Sequence, residues 1–575
     1  MSINKIFETD IKKPIKGLFD KGCRLTKGRM GYILGALFVI ALALGPHVAV
    51  AQQVDDYGDK LGTVHFPVSC RAPVQPLMER GVALLHHMTY SGARKVFEAA
   101  KAADPNCALA YWGIAMTYIH PLWLDFPTKE QIRLGQDLVR SAKTRGKKTE
   151  REHAYIAALD AYYGKDMERN HRTRLGDFEK AWEKVYHEFP NDLEAASLYA
   201  LAHMAMAKST DKSYQKKKEA GAIAEKVLVK IPDHPGAHHY IIHAYDSPPL
   251  AYRALEVARN YGKLAPDVPH ALHMPTHIFT RLGLWQESID WNRRSADAAW
   301  RNKVNGRITM HYPHALDYLA YAYLQQAQDE KAKALLDEVL SLLGPFYDLN
   351  AESAAYALAA IPARYSLERQ QWEAAAKLEP REPTSFPWGD RFAAYEAVTH
   401  YARALGAARS GNPTVVQASI KELEKLHDIA LKKSAYWANQ VEIQKTSAQA
   451  WLAFAQGKKS EALHLMQLAA DIETSTDKSP TTPGEILPAR ELLGDMLLEL
   501  DRSEEALQEY ETELVRSPNR LNSIYGAGRA AEIAHDREKA KAYYMKLLEV
   551  ASQADTQRPR LEQARRYLDS GNGNY

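Results

Sequence analysis

Small and aromatic residues recur along this chain with a period of 34, and that period leaves few folds open. Gly494, Ala506 and Tyr510 are followed 34 residues later by Gly528, Ala540 and Tyr544, with Pro518 between the two sets. A repeat of this length is one helix-turn-helix unit, in which small residues let two helices approach and the aromatic fills the gap to the next unit. Such a unit cannot bury its apolar face alone, so several must stack. The frame returns at Gly81, Ala93, Phe97, Ala100 and Pro105, ahead of Tyr111-Trp112-Gly113. It recurs around Ala254 and Pro266, Gly283 and Ser288, and Ala320 and Ala332. Segments 128–164 and 172–189 keep helical spacing without the full frame. No segment reads as a sheet, and no Gly-rich phosphate loop occurs. The expected fold class is all-α, a right-handed helical solenoid.

Composition agrees with a large exported repeat protein. Hydrophobic residues make up 46% of the 575, enough for an extended core, and the net charge of +3 gives no polyanion-binding surface. Nucleic acid is therefore not an expected partner. Lys12, Lys13, Lys16, Lys21, Arg24, Lys27 and Arg29 precede an apolar run, Tyr32 to Leu44, and then Ala49-Val50-Ala51. Residues 1–51 thus read as a signal peptide with cleavage after Ala51, or as an uncleaved anchor through residues 30–45, the one expected membrane contact. Either way the rest is expected to be periplasmic or secreted. In such an oxidising compartment Cys70 and Cys107 are candidates for a disulfide.

The chain then divides, on composition, into a solenoid with a histidine-rich groove (52–378), a proline-rich linker (379–389), helical repeats (390–470), a Ser/Thr/Pro linker (471–488), a C-terminal repeat pair (489–555) and a tail (556–575). The run Lys216-Lys217-Lys218 reads as a solvated helix face, not a binding patch.

Histidine carries the chemistry. His239 and His243 are four residues apart, as are His273 and His277, so each pair shares one helix face. The pairs are offset by 34 residues and therefore occupy equivalent positions of consecutive repeats. Pro275 removes a backbone donor between the second pair and should kink that helix or delay its start. Two His pairs with a carboxylate suit Zn²⁺, Cu²⁺ or Fe²⁺ better than Ca²⁺ or Mg²⁺, which want oxygen. There is no HExxH and no GxSxG, so neither a thermolysin-like protease nor a serine hydrolase is indicated.

The repeat frame resembles the tetratricopeptide repeat (TPR), and the resemblance implies that positions 2, 5, 9 and 12 of each first helix line a concave groove. With Ala254 and Ser288 as the second small position, His239 and His273 take position 5, and His243 and His277 position 9. Asp246 takes position 12 of the first of these repeats, and His270 position 2 of the second. In the repeat anchored on Ala332, His314 takes position 2 and Asp317 position 5. Beyond this, Leu61-Gly-Thr-Val-His-Phe-Pro-Val-Ser-Cys70, Asp104-Pro-Asn-Cys107, Tyr111-Trp-Gly-Ile-Ala-Met116 and the segments 234–243 and 273–278 resemble a group of exported bacterial TPR proteins. The resemblance covers roughly residues 60–340 and implies the fold and the weight of the histidines, without a substrate. The first expectation is a transition-metal site of His239, His243, His273 and His277, completed or oriented by Asp246, His270, His314 and Asp317. Three protein ligands would leave a position for chemistry, whereas four would close the site. The alternative is a scaffold whose groove captures a peptide without metal, with the C-terminal pair offering a site for a protein partner.

Overall fold

The structure, a computed structural model, describes residues 57–571 apart from Leu124 and Lys165. The expected signal or anchor segment, 1–51, lies outside the described residues.

Local signals start the helices where the sequence places them. Thr128 and Thr149 each close a capping box, with Gln131 and Glu152, at the heads of Lys129–Thr144 and Glu150–Tyr163. Pro235 and Pro269 open their helices at the position where a missing N–H costs nothing. Those two helices begin 34 residues apart, at 235 and 269, as do Ser503–Arg516 and Arg537–Val550, at 503 and 537. Each helix packs on the next in the chain, and first helices of consecutive pairs also touch. The protein is an all-α helical solenoid; among the described residues there is no strand, and Val304–Arg307 and Ile308–Phe346 are isolated bridges. No helix among them is long and apolar enough to cross a membrane.

The small-plus-aromatic frame explains the packing. The ring of Tyr510, fully buried, lies against Gly494 and Gly526, where any Cβ would collide with it. Phe97 does the same between Gly81 and Gly113. Cys70 and Cys107 form a disulfide across 37 residues that ties the first segment to the start of the helix Ala108–Met116. Closing a loop of that length restricts the unfolded chain by about 3–4 kcal/mol. Cys70→Ser is therefore expected to lower unfolding stability by that order in chemical denaturation, and reductant should lower the wild type equally while leaving the variant unchanged.

The later repeats return onto the middle ones. Trp285 Nε1 donates to the Asn519 carbonyl (2.9 Å), the Leu521 N–H donates to Gln325 Oε1 (2.9 Å), and Arg558 Nε donates to Asp329 (3.0 Å). Gly283 (φ +65°) sits so close to Pro518 that a side chain there would overlap the Pro518 carbonyl oxygen. Arg520, wholly enclosed, pairs with Glu368 (2.8 Å) across this seam and with Glu491 (2.7 Å) on its own side.

Residues 477–485 run past the helices that carry Tyr318 and Arg364 and wall the cavity beside the histidines. Their composition is that of a linker, yet a proline-rich stretch has carbonyls with no donors of its own, and the solenoid supplies them. Tyr318 Oη lies between the Pro480 and Thr482 carbonyls (3.0 and 3.1 Å), and Arg364 donates to the Gly484 and Glu485 carbonyls, each at 2.7 Å. At the segment's start the Asp477 N–H donates to the Ser209 carbonyl (3.1 Å).

Candidate metal centre

Three successive first helices carry the site: Pro235–Tyr245, the split helix Pro269–His273 and Pro275–Arg281, and His311–Gln325. The split falls at Pro275, as its missing N–H requires. Four-residue spacing brings the rings of each pair together, with centroids 4.8 Å apart for His239–His243, which are tilted, and 4.8 Å for His273–His277, which meet edge to face.

The histidines assemble as two triads, His239–His243–His270 and His273–His277–His314, each offering three atoms within 4.8 Å of one another. The pattern is the same twice: positions 5 and 9 of one repeat with position 2 of the next. The triads adjoin, with His243 and His277 centroids 6.1 Å apart and His270 and His273 6.4 Å apart.

Hydrogen bonds behind the rings fix the tautomers. His239 Nδ1 lies 2.6 Å from the His86 carbonyl oxygen and must donate to it. His273 Nδ1 donates to Asn292 Oδ1 (2.8 Å); the Asn292 amide nitrogen donates to the Ser288 carbonyl (2.8 Å), so the oxygen faces the histidine. His277 Nδ1 donates to Asp246 Oδ2 (2.9 Å), and Arg281 holds the other oxygen of Asp246 at 2.7 Å. With each Nδ1 protonated, each Nε2 carries a lone pair. The Nε2 atoms of His273 and His277 then face each other at 2.9 Å, two lone pairs with nothing between to relieve them but a shared cation. Ligand atoms at about 2.0–2.1 Å from a metal lie roughly 2.9–3.4 Å from each other, so the spacing suits a shared ion. In the other triad, His239 Nε2, His243 Nε2 and both His270 nitrogens are buried without a hydrogen-bond partner, and so is His314 Nδ1 in the second.

Burial first, and then repulsion among imidazoles, hold the rings below their ordinary titration range. His243 falls to about 3, and His239, His270, His273 and His314 fall well below. His277 is lowered by burial against the opposing pull of Asp246. The rings are neutral at pH 7, the form that binds metals.

The other expected residues divide. Asp246 stands behind His277 as its orienting carboxylate. Asp317 takes position 5 of the next repeat, the register of His239 and His273, but turns to Arg364 (2.9 Å) and joins neither triad. His86 and His234, with Glu194, form a third buried cluster, at 2.7 and 3.1 Å from its two oxygens. There His234 Nδ1 accepts from the Ala237 N–H and His86 Nδ1 meets Tyr240 Oη, so every ring nitrogen is satisfied and the cluster is a closed network.

A cavity of about 550 Å³ opens on His243, His270, His277 and His314, walled by Trp123, Met274, Met310 and residues 477–481. Lys217 and Lys478 also line it. Lys217 belongs to the run expected to be a solvated face; helical rotation turns this one lysine inward. Sequence reasoning also missed Asn292, which reaches His273 from a second helix, Trp285–Arg301.

No protein-family model and no curated protein matches the chain. Among solved structures it is similar to the APC/C hetero-tetramer Cut9–Hcn1 (12% identity, 92% of this chain and 81% of that chain, TM-score 0.33). It is also similar to human IFIT1 as a dimer with m7Gppp-AAAA (13%, 84% and 96%, TM-score 0.36) and to a monomeric IFIT1 mutant with Gppp-AAAA (13%, 84% and 98%, TM-score 0.37). At these scores nothing about this chain's ligands follows from the likeness.

Proposed function

We propose that this is an exported helical-repeat protein whose two histidine triads bind transition-metal ions, Zn²⁺, Cu²⁺ or Fe²⁺. The facing Nε2 atoms of His273 and His277, held there by Asn292 and Asp246, carry the proposal. Three imidazoles per ion leave coordination positions toward the cavity, so the site supports ligand binding or metal-dependent chemistry better than a closed structural role. Export is supported by the basic and apolar pattern of residues 1–51 and by a disulfide of the kind that persists outside a reducing cytosol.

The protein purified without chelator or histidine tag is expected to contain transition metal by mass spectrometry. Protein that stays metal-free after incubation with Zn²⁺, Cu²⁺ and Fe²⁺ would sink the proposal. Asn292→Ala removes the group that orients His273, and changes at this distance from a metal cost about 10–100-fold in affinity. That loss is expected in a chelator competition, with Asn292→Asp restoring most of it; an unchanged affinity would remove Asn292 from the site.

A protein partner at the C-terminal pair, 489–555, is the second reading, favoured by the exposed apolar side chains Val515 (77%) and Met545 (56%). Such binding would survive loss of the histidines, which separates it from the metal reading.

A further inference from the structure

The cavity beside the triads holds positive charge that its own carboxylates do not neutralise. Arg281 is paired with Asp246 at 2.7 Å, Lys212 with Asp477 at 2.7 Å, and Arg516 with Glu485 at 3.6 Å. Arg172 and Lys208, also on its wall, are exposed, which leaves two ammonium groups withdrawn from solvent. Lys217, half-buried on the helix Gln215–Lys230, has the Asp246 carbonyl oxygen at 3.5 Å. Lys478, whose side chain is only 5% exposed, donates to the Thr482 carbonyl (3.0 Å) and stands 4.0 Å from an Asp246 oxygen already engaged by Arg281. Burial depresses both lysines, Lys478 to about 8, against the opposing pull of Asp246 on each, of Asp477 on Lys217 and of Glu485 on Lys478.

Cations drawn from solvent that must share their carboxylates with other cations are costly, and a cavity that keeps two of them gains when an anion arrives. A divalent ion on the neighbouring triad would add to the same field. The size, about 550 Å³, lies within the range of small-molecule sites. Its wall combines these cations with the apolar side chains of Met274, Met310 and Trp123. A bare inorganic ion would use only the first half of that lining.

We infer that the cavity binds a small organic oxyanion, a carboxylate or phosphonate-like head on an apolar body. The head is held by Lys217 and Lys478 beside the His273–His277–His314 triad, and the body packs on Met274 and Met310. Coordination of the head by an ion on the triad rests on the metal reading, whereas capture by the two lysines does not.

The test is calorimetric titration of benzoate and of phenylphosphonate, with inorganic phosphate as the head alone, into metal-free and Zn²⁺-incubated protein. Saturable binding of at least one aromatic probe, tighter than phosphate, is expected in both forms. In Lys217→Gln/Lys478→Gln it should weaken at least about tenfold, in keeping with the loss of charge-assisted bonds, while bound metal stays unchanged. Lys217→Arg, which keeps the charge, should bind as the wild type does and shows that the fold tolerates substitution there. Normal metal uptake with no probe binding in either form, or with binding indifferent to the double substitution, would overturn the inference and spare the metal reading. Lysine-dependent binding to protein that takes up no metal would do the opposite, supporting anion capture while removing the ion.

Discussion

Replacing His273 and His277 together with alanine is expected to halve the bound metal, from two ions per chain to one. The two triads share no ligand: His239, His243 and His270 belong to one, and His273, His277 and His314 to the other. Each has its own tautomer-fixing partner, the His86 carbonyl for the first and Asn292 and Asp246 for the second. His239→Ala/His243→Ala should mirror the result, losing one ion and keeping the other. Heat denaturation gives an independent reading, because an ion bound to the folded state at a thousand times its Kd adds about 4 kcal/mol of stability. Each double variant should retain roughly one ion's share of the metal-induced stabilisation seen in the wild type. Complete metal loss in either variant would point instead to one ion bridged by His239, His243, His273 and His277. That was the simplest grouping of the sequence motifs, and the structure does not favour it. Metal content is referred to folded protein by circular dichroism, so a variant that fails to fold is not counted as one that fails to bind.

The repeat period, the groove face and the two His pairs were legible because each depends on spacing within one helix or between adjacent repeats. Pro275 marked its own break in the same way. The grouping into triads was not legible, since it depends on how far one first helix is displaced along its neighbour. That displacement decides that His270 joins His239 and not His277. Asp317 shows the limit from the other side: its register is that of His239 and His273, but Arg364, on the helix Ala351–Leu367, claims it. The lysines lay further out of reach. Lys217 sits in a run that composition assigns to solvent, and Lys478 in a stretch that composition assigns to a linker. Only superhelical closure, with Asp477 on Ser209 and Lys212, brings the two to one cavity. No periodicity records a contact made once between distant segments.

The affinity of the second triad for Zn²⁺ is expected to stay nearly flat from pH 7.5 to 5.5. Metal must displace any proton on the ligating nitrogen, so affinity falls with pH only where the free ligands are protonated. Three ordinary imidazoles, with pKa near 6.5, would be mostly charged at pH 5.5 and would lose about three orders of magnitude over that interval. Here burial, followed by repulsion from neighbouring rings, holds His273 and His314 well below that range, and burial also lowers His277. The sign is fixed by the charge type: excluding water penalises imidazolium and spares neutral imidazole, so the proton leaves at a lower pH than usual. Asp246 works the other way on His277, raising it, and this ring should be the first to compete as acid is added. Asp246→Asn would remove that pull and lower His277 further, at the cost of a weaker acceptor behind its Nδ1. Its pH profile should therefore be at least as flat as the wild type's, with a lower plateau. Competition against a chelator at each pH measures the profile directly. A thousandfold decline between pH 7.5 and 5.5 would mean that the rings titrate as in water, and that the groove is open to solvent where the structure encloses it.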